Sequence, residues 1–179
     1  MDEREKQHWR SLRRSRPREI VVPGPGQESV WDYPRPPRLE ASRRRVRVEL
    51  GGRILAASHR ALRVCETASP PAYYVPPEDV RAGSLLPALH HSDCEWKGAA
   101  RYWNVRLGAR IVSNVAWSYP APEAGFEALR DHLAFHPGRV DGCFLDGVRV
   151  TPQAGEFYGG WITAEIVGPF KGGPGSEGW

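Results

Sequence analysis

The chain predicts a mainly β, antiparallel fold with one principal α-helix near the C-terminal third. Three observations carry this. Val46, Val48 and Leu50 alternate with Arg45, Arg47 and Glu49, the period of a half-buried strand. Gly51-Gly52 and Asp146-Gly147 are two-residue hairpin signals between apolar stretches. Seventeen Pro and nineteen Gly among 179 residues favour turns and extended chain over long helices.

The elements follow in order. Residues 1–19 are charged and poor in apolar side chains, so a basic, disordered arm is expected. Residues 20–44 hold Pro23-Gly-Pro-Gly26 and Trp31-Asp-Tyr33-Pro34-Arg-Pro36-Pro37. Proline fixes φ and removes donors, which makes this a Pro-rich extended arm. Trp31 and Tyr33 are too apolar for a free linker and are expected to dock on the domain. The core domain is expected over 45–150, with strands at 45–50, 53–57 and 61–66 and a short extended piece at 72–75. Pro76-Pro77-Glu78-Asp79 reads as a single helical turn, followed by a loop through His90-His91. Strands at about 100–107 and 109–118 hinge at Gly108. The principal helix is expected over 123–133, with Phe126, Leu129 and Leu133 on one side and Pro137-Gly138 ending it. Strands at 140–145 and 148–150 flank Asp146-Gly147. Residues 151–179 form a Gly- and Trp-rich tail expected to wrap across the domain.

Composition limits the function classes. Forty per cent hydrophobic content supports one ordinary core, and seven Trp against one Met make it aromatic. No apolar run approaches the roughly 20 residues of a membrane span. The charged N-terminus lacks an apolar leader, so a soluble, cytoplasmic protein is expected, with no membrane partner. Three Cys at wide spacing do not make a disulfide framework. The net charge of +4 concentrates at Arg4, Lys6, Arg10, Arg13, Arg14, Arg16 and Arg18 and at Arg43-Arg44-Arg45. A basic arm of this kind gives weak, non-specific nucleic-acid contact, without any recognised nucleic-acid motif.

The chemistry-bearing residues lie mid-chain. On a strand, Leu62, Val64 and Glu66 share one face, so Glu66 points with apolar residues into the core or a cleft. A buried carboxylate needs a cation, hydrogen bonds or a raised pKa. Lys97 is the natural partner, and the adjacent Gly98 permits a close approach. A lysine in an aromatic setting either binds an anion or loses its proton to act as base or nucleophile. Cys94 is a candidate nucleophile if a cation stabilises its thiolate. Cys65 and Cys143 read as buried. His90, His91, Asp93 and Cys94 have metal-ligand types, but adjacent His point apart and no Cys-x-x-Cys pair is present, so no metal is expected. Tyr73, Tyr74, Tyr102, Trp103, Trp117 and Tyr119 are the aromatic set. Tyr102 and Trp103 fall on opposite faces, so only part of the set can line one cavity. Tyr74, Tyr102, Trp103, Trp117 and Tyr119 are the candidate ligand-binding residues, beside Glu66, Lys97 and Cys94 as catalytic candidates.

Taken in order, Val64-Cys65-Glu66, Pro70-Pro71-Ala-Tyr73-Tyr74-Val-Pro76, Cys94-Glu-Trp-Lys97-Gly98 and Trp117-Ser-Tyr119-Pro120 resemble a bacterial family catalogued as domain of unknown function 427. The resemblance runs from about residue 46 to 150, and the tail from Gly159 resembles the family's longer members. It implies a two-sheet, β-tent-like arrangement and a site at Glu66 and Lys97, with no established reaction. The expected function is a small-ligand pocket around Glu66 and Lys97, in either a small-molecule enzyme or a ligand sensor. No cofactor is expected and the ligand is an unknown small molecule. One alternative is a nucleotidyltransferase-like enzyme, a label attached to the family. The other is a protein-interaction module using the Pro-rich arm and Trp-rich tail.

Overall fold

Left-handed turn residues set the strand registers. Gly51 and Gly52 adopt φ of 64° and 69°, and Asp146 and Gly147 adopt 50° and 85°. Both are the tight hairpins that their sequences call for. The computed structural model describes all residues, 1–179. In chain order its strands are β1 (Glu28–Ser29), β2 (Arg38–Ala41), β3 (Val46–Leu50), β4 (Arg53–Ser58), β5 (Leu62–Glu66), β6 (Ser69–Val75), β7 (Leu85–Cys94), β8 (Gly98–Leu107), β9 (Arg110–Ser118), β10 (Leu133–Phe135), β11 (Gly142–Leu145), β12 (Val148–Arg149), β13 (Thr151–Pro152), β14 (Trp161–Ile162) and β15 (Ile166–Val167).

Two antiparallel sheets dominate. One has seven strands in the order β2-β5-β6-β10-β9-β8-β7, the other four in the order β12-β11-β3-β4. They pack face to face over a core that includes Val46, Val48, Leu145, Tyr73, Val115 and Phe135. Strand parity then exposes alternate residues on the opposite face of the larger sheet. Tyr73 enters the inter-sheet core while Tyr74 joins Val64, Tyr119, Phe126 and Leu129 in a second cluster on the far side. That far side is the face on which the candidate site lies.

The arm and the tail cover this face and its edges. Trp31 and Tyr33 dock with Val30, Cys65, Ala68 and Ile166 in a third apolar cluster. Trp31 Nε1–H donates to the Pro169 carbonyl (2.8 Å), and β1 pairs in parallel with β15. Arg63 clamps the arm to the sheet. Its guanidinium donates to Glu40 Oε1 (2.6 Å) and Glu28 Oε2 (2.9 Å), while Tyr33 Oη–H donates to Glu28 (2.7 Å). Burial opposes ionisation of Glu28, but Arg63 and Tyr33 overcome it and hold its carboxyl below the usual carboxylate range.

Three expectations need correction. Residues 123–133 do not form a helix: 127–129 make one 3-10 turn. Gly125 and Asp131 stand at φ of 88° and 58°, and Leu133 already pairs with Val75 in β10. Only residues 126–130 lie between the two left-handed positions, too few to repay helix nucleation. The α-helix is instead α1 (Glu3–Ser11), inside the segment expected to be a disordered arm. The Asp2 side chain caps it by accepting from Glu5 N–H (2.8 Å), and Glu3 pairs with Lys6 one turn on (2.8 Å). The loop expected through His90-His91 is strand β7. It is the outermost strand and none of its residues is buried, so it shows no apolar alternation.

Arg63 yields a direct test of the arm's attachment. Its side chain is only 16% exposed and carries hydrogen bonds to two carboxylates. Arg63→Met is expected to cost about 2–3 kcal/mol in urea unfolding, the scale of hydrogen bonds to charged groups. A cost below about 0.5 kcal/mol would class the clamp with ordinary surface pairs.

Candidate functional site

Glu66 is placed by the turn that follows it. β5 and β6 are joined through Thr67-Ala68, with Ala68 at φ 71°. Five bonds pin this turn: Ala68 N–H donates to the Val30 carbonyl, Lys171 N–H to the Ala68 carbonyl, Arg35 Nη2–H to the Thr67 carbonyl, and Thr67 N–H and Oγ1–H to the Pro34 and Tyr33 carbonyls. The same Arg35 nitrogen donates to Glu66 Oε1 (3.1 Å). Lys97 sits at the β7–β8 hairpin, whose Gly98 has φ 95° and packs against the Ala121 carbonyl. Lys97 Nζ lies 3.7 Å from Glu66 Oε2. One carboxylate therefore joins the arm, the β5–β6 turn and the β7–β8 hairpin.

These groups line a cavity of about 660 Å³, the size of a drug-like ligand site. Glu66, Lys97 and Cys94 contribute to its wall. So do Tyr74, Tyr102, Trp117 and Tyr119. Trp103 does not belong to it. Its parity turns it to the inter-sheet core, where Nε1–H donates to Ser118 Oγ (3.0 Å).

Lys97 is 7% exposed. Burial pulls its pKa down, but Cys94, Glu66 and Tyr74 outweigh burial and hold it above the ordinary lysine value. The group is a fixed ammonium, which disfavours the base or nucleophile role and favours anion binding. Burial pushes the Tyr74 hydroxyl up to about 12 against the opposing Lys97 charge, and burial raises Tyr119 well above the ordinary value. Both are neutral hydroxyls at physiological pH. Trp117 Nε1–H donates to Tyr74 Oη (3.1 Å), and Tyr102 Oη bonds Ser92 Oγ (3.0 Å). Cys65 and Cys143 are buried, and burial pushes both thiols up, Cys65 to about 12. His90 stacks against Tyr102 at 4.4 Å between ring centroids, and no three His, Cys, Asp or Glu side chains converge as a metal-ligand set.

Several wall residues come from the two ends of the chain, outside the residues singled out from the sequence. The tail supplies Gln153, Phe157, Tyr158, Gly159, Gly160 and Lys171. Gly159 lies flat on Trp117: a Cβ there would stand 2.4 Å from the indole Cη2. The first residues supply Met1, Glu5, Trp9 and Arg14. Helix α1 buries no residue and is held by polar contacts. Lys6 pairs with Glu123 (2.5 Å), the N-terminal amine with Asp93 (3.2 Å) and Arg14 with Glu95 (3.7 Å). Arg10 Nε–H donates to the Glu95 carbonyl (2.7 Å) while its guanidinium covers Trp96.

A family model described as Domain of unknown function (DUF427) matches residues 38–146. The matched segment includes Glu66, Cys94 and Lys97 and excludes α1 and the tail that cover the cleft. No curated protein matches the chain.

Cys94 reports on this cover, because the other two thiols are buried in cores. The paired substitution Lys6→Ala with Arg10→Ala is expected to speed its reaction with a disulfide reagent roughly fivefold, the equivalent of about 1 kcal/mol for two partly buried polar contacts. Raising the salt concentration should speed the wild-type reaction in the same direction. Rates indifferent to both changes would mean that α1 does not cover Cys94.

Proposed function

The chain belongs to the domain of unknown function 427 family, and from that premise we propose that its cleft is a small-ligand site. Glu66 orients the site and Lys97 supplies a fixed positive charge in it. The observation that carries this reading is the Lys97–Glu66 pair on the wall of a ligand-sized cavity. A desolvated ion pair is an expensive way to fill a core, and apolar residues would serve stability equally well. Its position in a cavity with aromatic walls is what a binding site requires. Whether the bound molecule is turned over or sensed depends on Cys94, the one uncommitted nucleophile beside Lys97.

The family's nucleotidyl-transfer label has less support. Such chemistry needs carboxylates converging on a divalent cation near a phosphate. In the cleft, Glu66 is engaged by Arg35 and Lys97, Asp93 by the terminal amine, and Glu95 by Arg14, while Glu5 and Glu177 are unpaired but join no cluster of three metal-ligating side chains. Glu78 and Asp79, the acidic pair nearest in sequence, both face Arg60.

A thermal-shift screen of small metabolites, followed by Cys94 protection, tests the reading. A true ligand is expected to raise the melting temperature and slow Cys94 modification at the same saturating concentration. Hits that stabilise the protein while leaving Cys94 equally reactive would place binding elsewhere. A magnesium-dependent response to nucleoside triphosphates would revive the nucleotidyl reading.

A further inference from the structure

We infer that the cleft takes a small monocarboxylate on an apolar, ring-sized body, with its oxygens seated against Lys97 and the Tyr74–Tyr119 hydroxyls. This rests on the ligand-site reading above and adds the chemical class.

Charge is the first argument. Arg35 and Lys97 both pair with Glu66, and neither has a second carboxylate within pairing distance. The group therefore carries two cations on one anion, an excess of one positive charge. Lys97, the member that lines the cavity, is 7% exposed. A desolvated excess charge calls for a counter-ion. Of the other charged groups on the cleft wall, Asp93 pairs with the terminal amine and Glu95 with Arg14, while Glu5, Glu177 and Lys171 belong to the covering segments and stand outside any ion pair. An excess of one matches a monoanion better than a phosphate dianion or a cation.

Unspent donors are the second argument. The nearest carboxylate oxygen to Lys97 Nζ is at 3.7 Å, longer than a hydrogen bond, and its other close neighbour is the weak acceptor Cys94 Sγ. Tyr74 Oη accepts from Trp117, so its own proton must go elsewhere. Tyr119 is 5% exposed, and its ring lies beside that of Tyr74 at 6.3 Å between centroids. Even if one phenol donates to the other, the pair still leaves one O–H to donate. Ammonium and phenol donors thus converge on the cavity with donor capacity that the hydrogen bonds of the site leave unused. A carboxylate supplies two acceptor oxygens of the right sign.

The walls supply the third argument. Trp117, Tyr102, Tyr158 and Phe157 enclose the remaining space. Aromatic walls accept an apolar or aromatic body, and the polar end then has one place to go.

The test uses four probes sharing a ring and differing in the head: benzoate, benzylamine, phenyl phosphate and benzyl alcohol. Binding to the full chain is read by Trp fluorescence and by Cys94 protection. Benzoate should bind tightest, by about tenfold over benzyl alcohol, the scale of one charge-assisted hydrogen bond. Lys97→Met should remove that preference. Tyr119→Phe, which deletes one hydroxyl and keeps the ring, should weaken benzoate severalfold and leave benzyl alcohol unchanged. Preference for benzylamine or phenyl phosphate, or a benzoate preference that survives Lys97→Met, would overturn the class and keep the pocket. Failure of all four probes to protect Cys94 at millimolar concentration would remove both.

Discussion

One carboxylate holds three distant segments together at the base of the cleft. Glu66 ends β5, Arg35 belongs to the proline-rich arm and Lys97 to the β7–β8 hairpin, and both cations meet the two Glu66 oxygens. Coulomb attraction between such groups grows as water is excluded, and so does the cost of leaving any of them unmatched. The neighbouring structure serves this arrangement. The Thr67-Ala68 turn is pinned from both the arm and the tail. Gly98 lets the hairpin pack against the 121–123 segment. Tyr74 brings a neutral hydroxyl beside the ammonium.

The two faces of the seven-stranded sheet divide the work. One face meets the four-stranded sheet in an ordinary apolar core, and most of the fold's burial lies there. The other carries the cleft and is covered by polar and glycine-rich pieces from the chain's two ends. Those pieces are attached differently. The tail lies close enough on Trp117 to exclude a side chain at Gly159, and Trp161 Nε1–H donates to the Phe135 carbonyl of the interior strand β10 (3.1 Å). Helix α1 rests on ion pairs and a cation–π contact, interactions that are individually weak in water. The roof of the cleft is thus its least firmly held part. No helix of the protein is long and apolar enough to cross a membrane.

Much of the sheet was legible in the sequence, and physical reasons explain the rest. Val46–Leu50 alternates strictly, and Gly51-Gly52 and Asp146-Gly147 are turns that few other residues can make. Parity along β5 put Glu66 with Val64, and both line the cleft. Parity also argued against grouping Trp103 with Tyr102, and the fold separates them. The 126–133 segment misled because apolar residues at helical spacing also suit a 3-10 turn that runs into a short strand. Strand β7 was hidden because an edge strand without a buried residue has no apolar face to announce it. Helix α1 did carry a signal, Asp2 as cap with Glu5 three residues on and Lys6 after Glu3, but its polar composition outweighed it. The contributions of Trp9, Arg14, Gly159 and Lys171 depend on tertiary docking and leave no local trace.

The central claim is that the Glu66 group holds an excess positive charge, and equilibrium unfolding of Glu66→Gln and Lys97→Met in the absence of ligand tests it most directly. Removing Glu66 leaves two cations without their counter-ion, so a loss of about 3–5 kcal/mol is expected. Removing Lys97 leaves Arg35 and Glu66 as a neutral pair, so stability should stay within about 1 kcal/mol of the parent or rise. Equal losses for the two substitutions would contradict the account, because they would make Lys97 and Glu66 a balanced pair with no charge left for a ligand to meet.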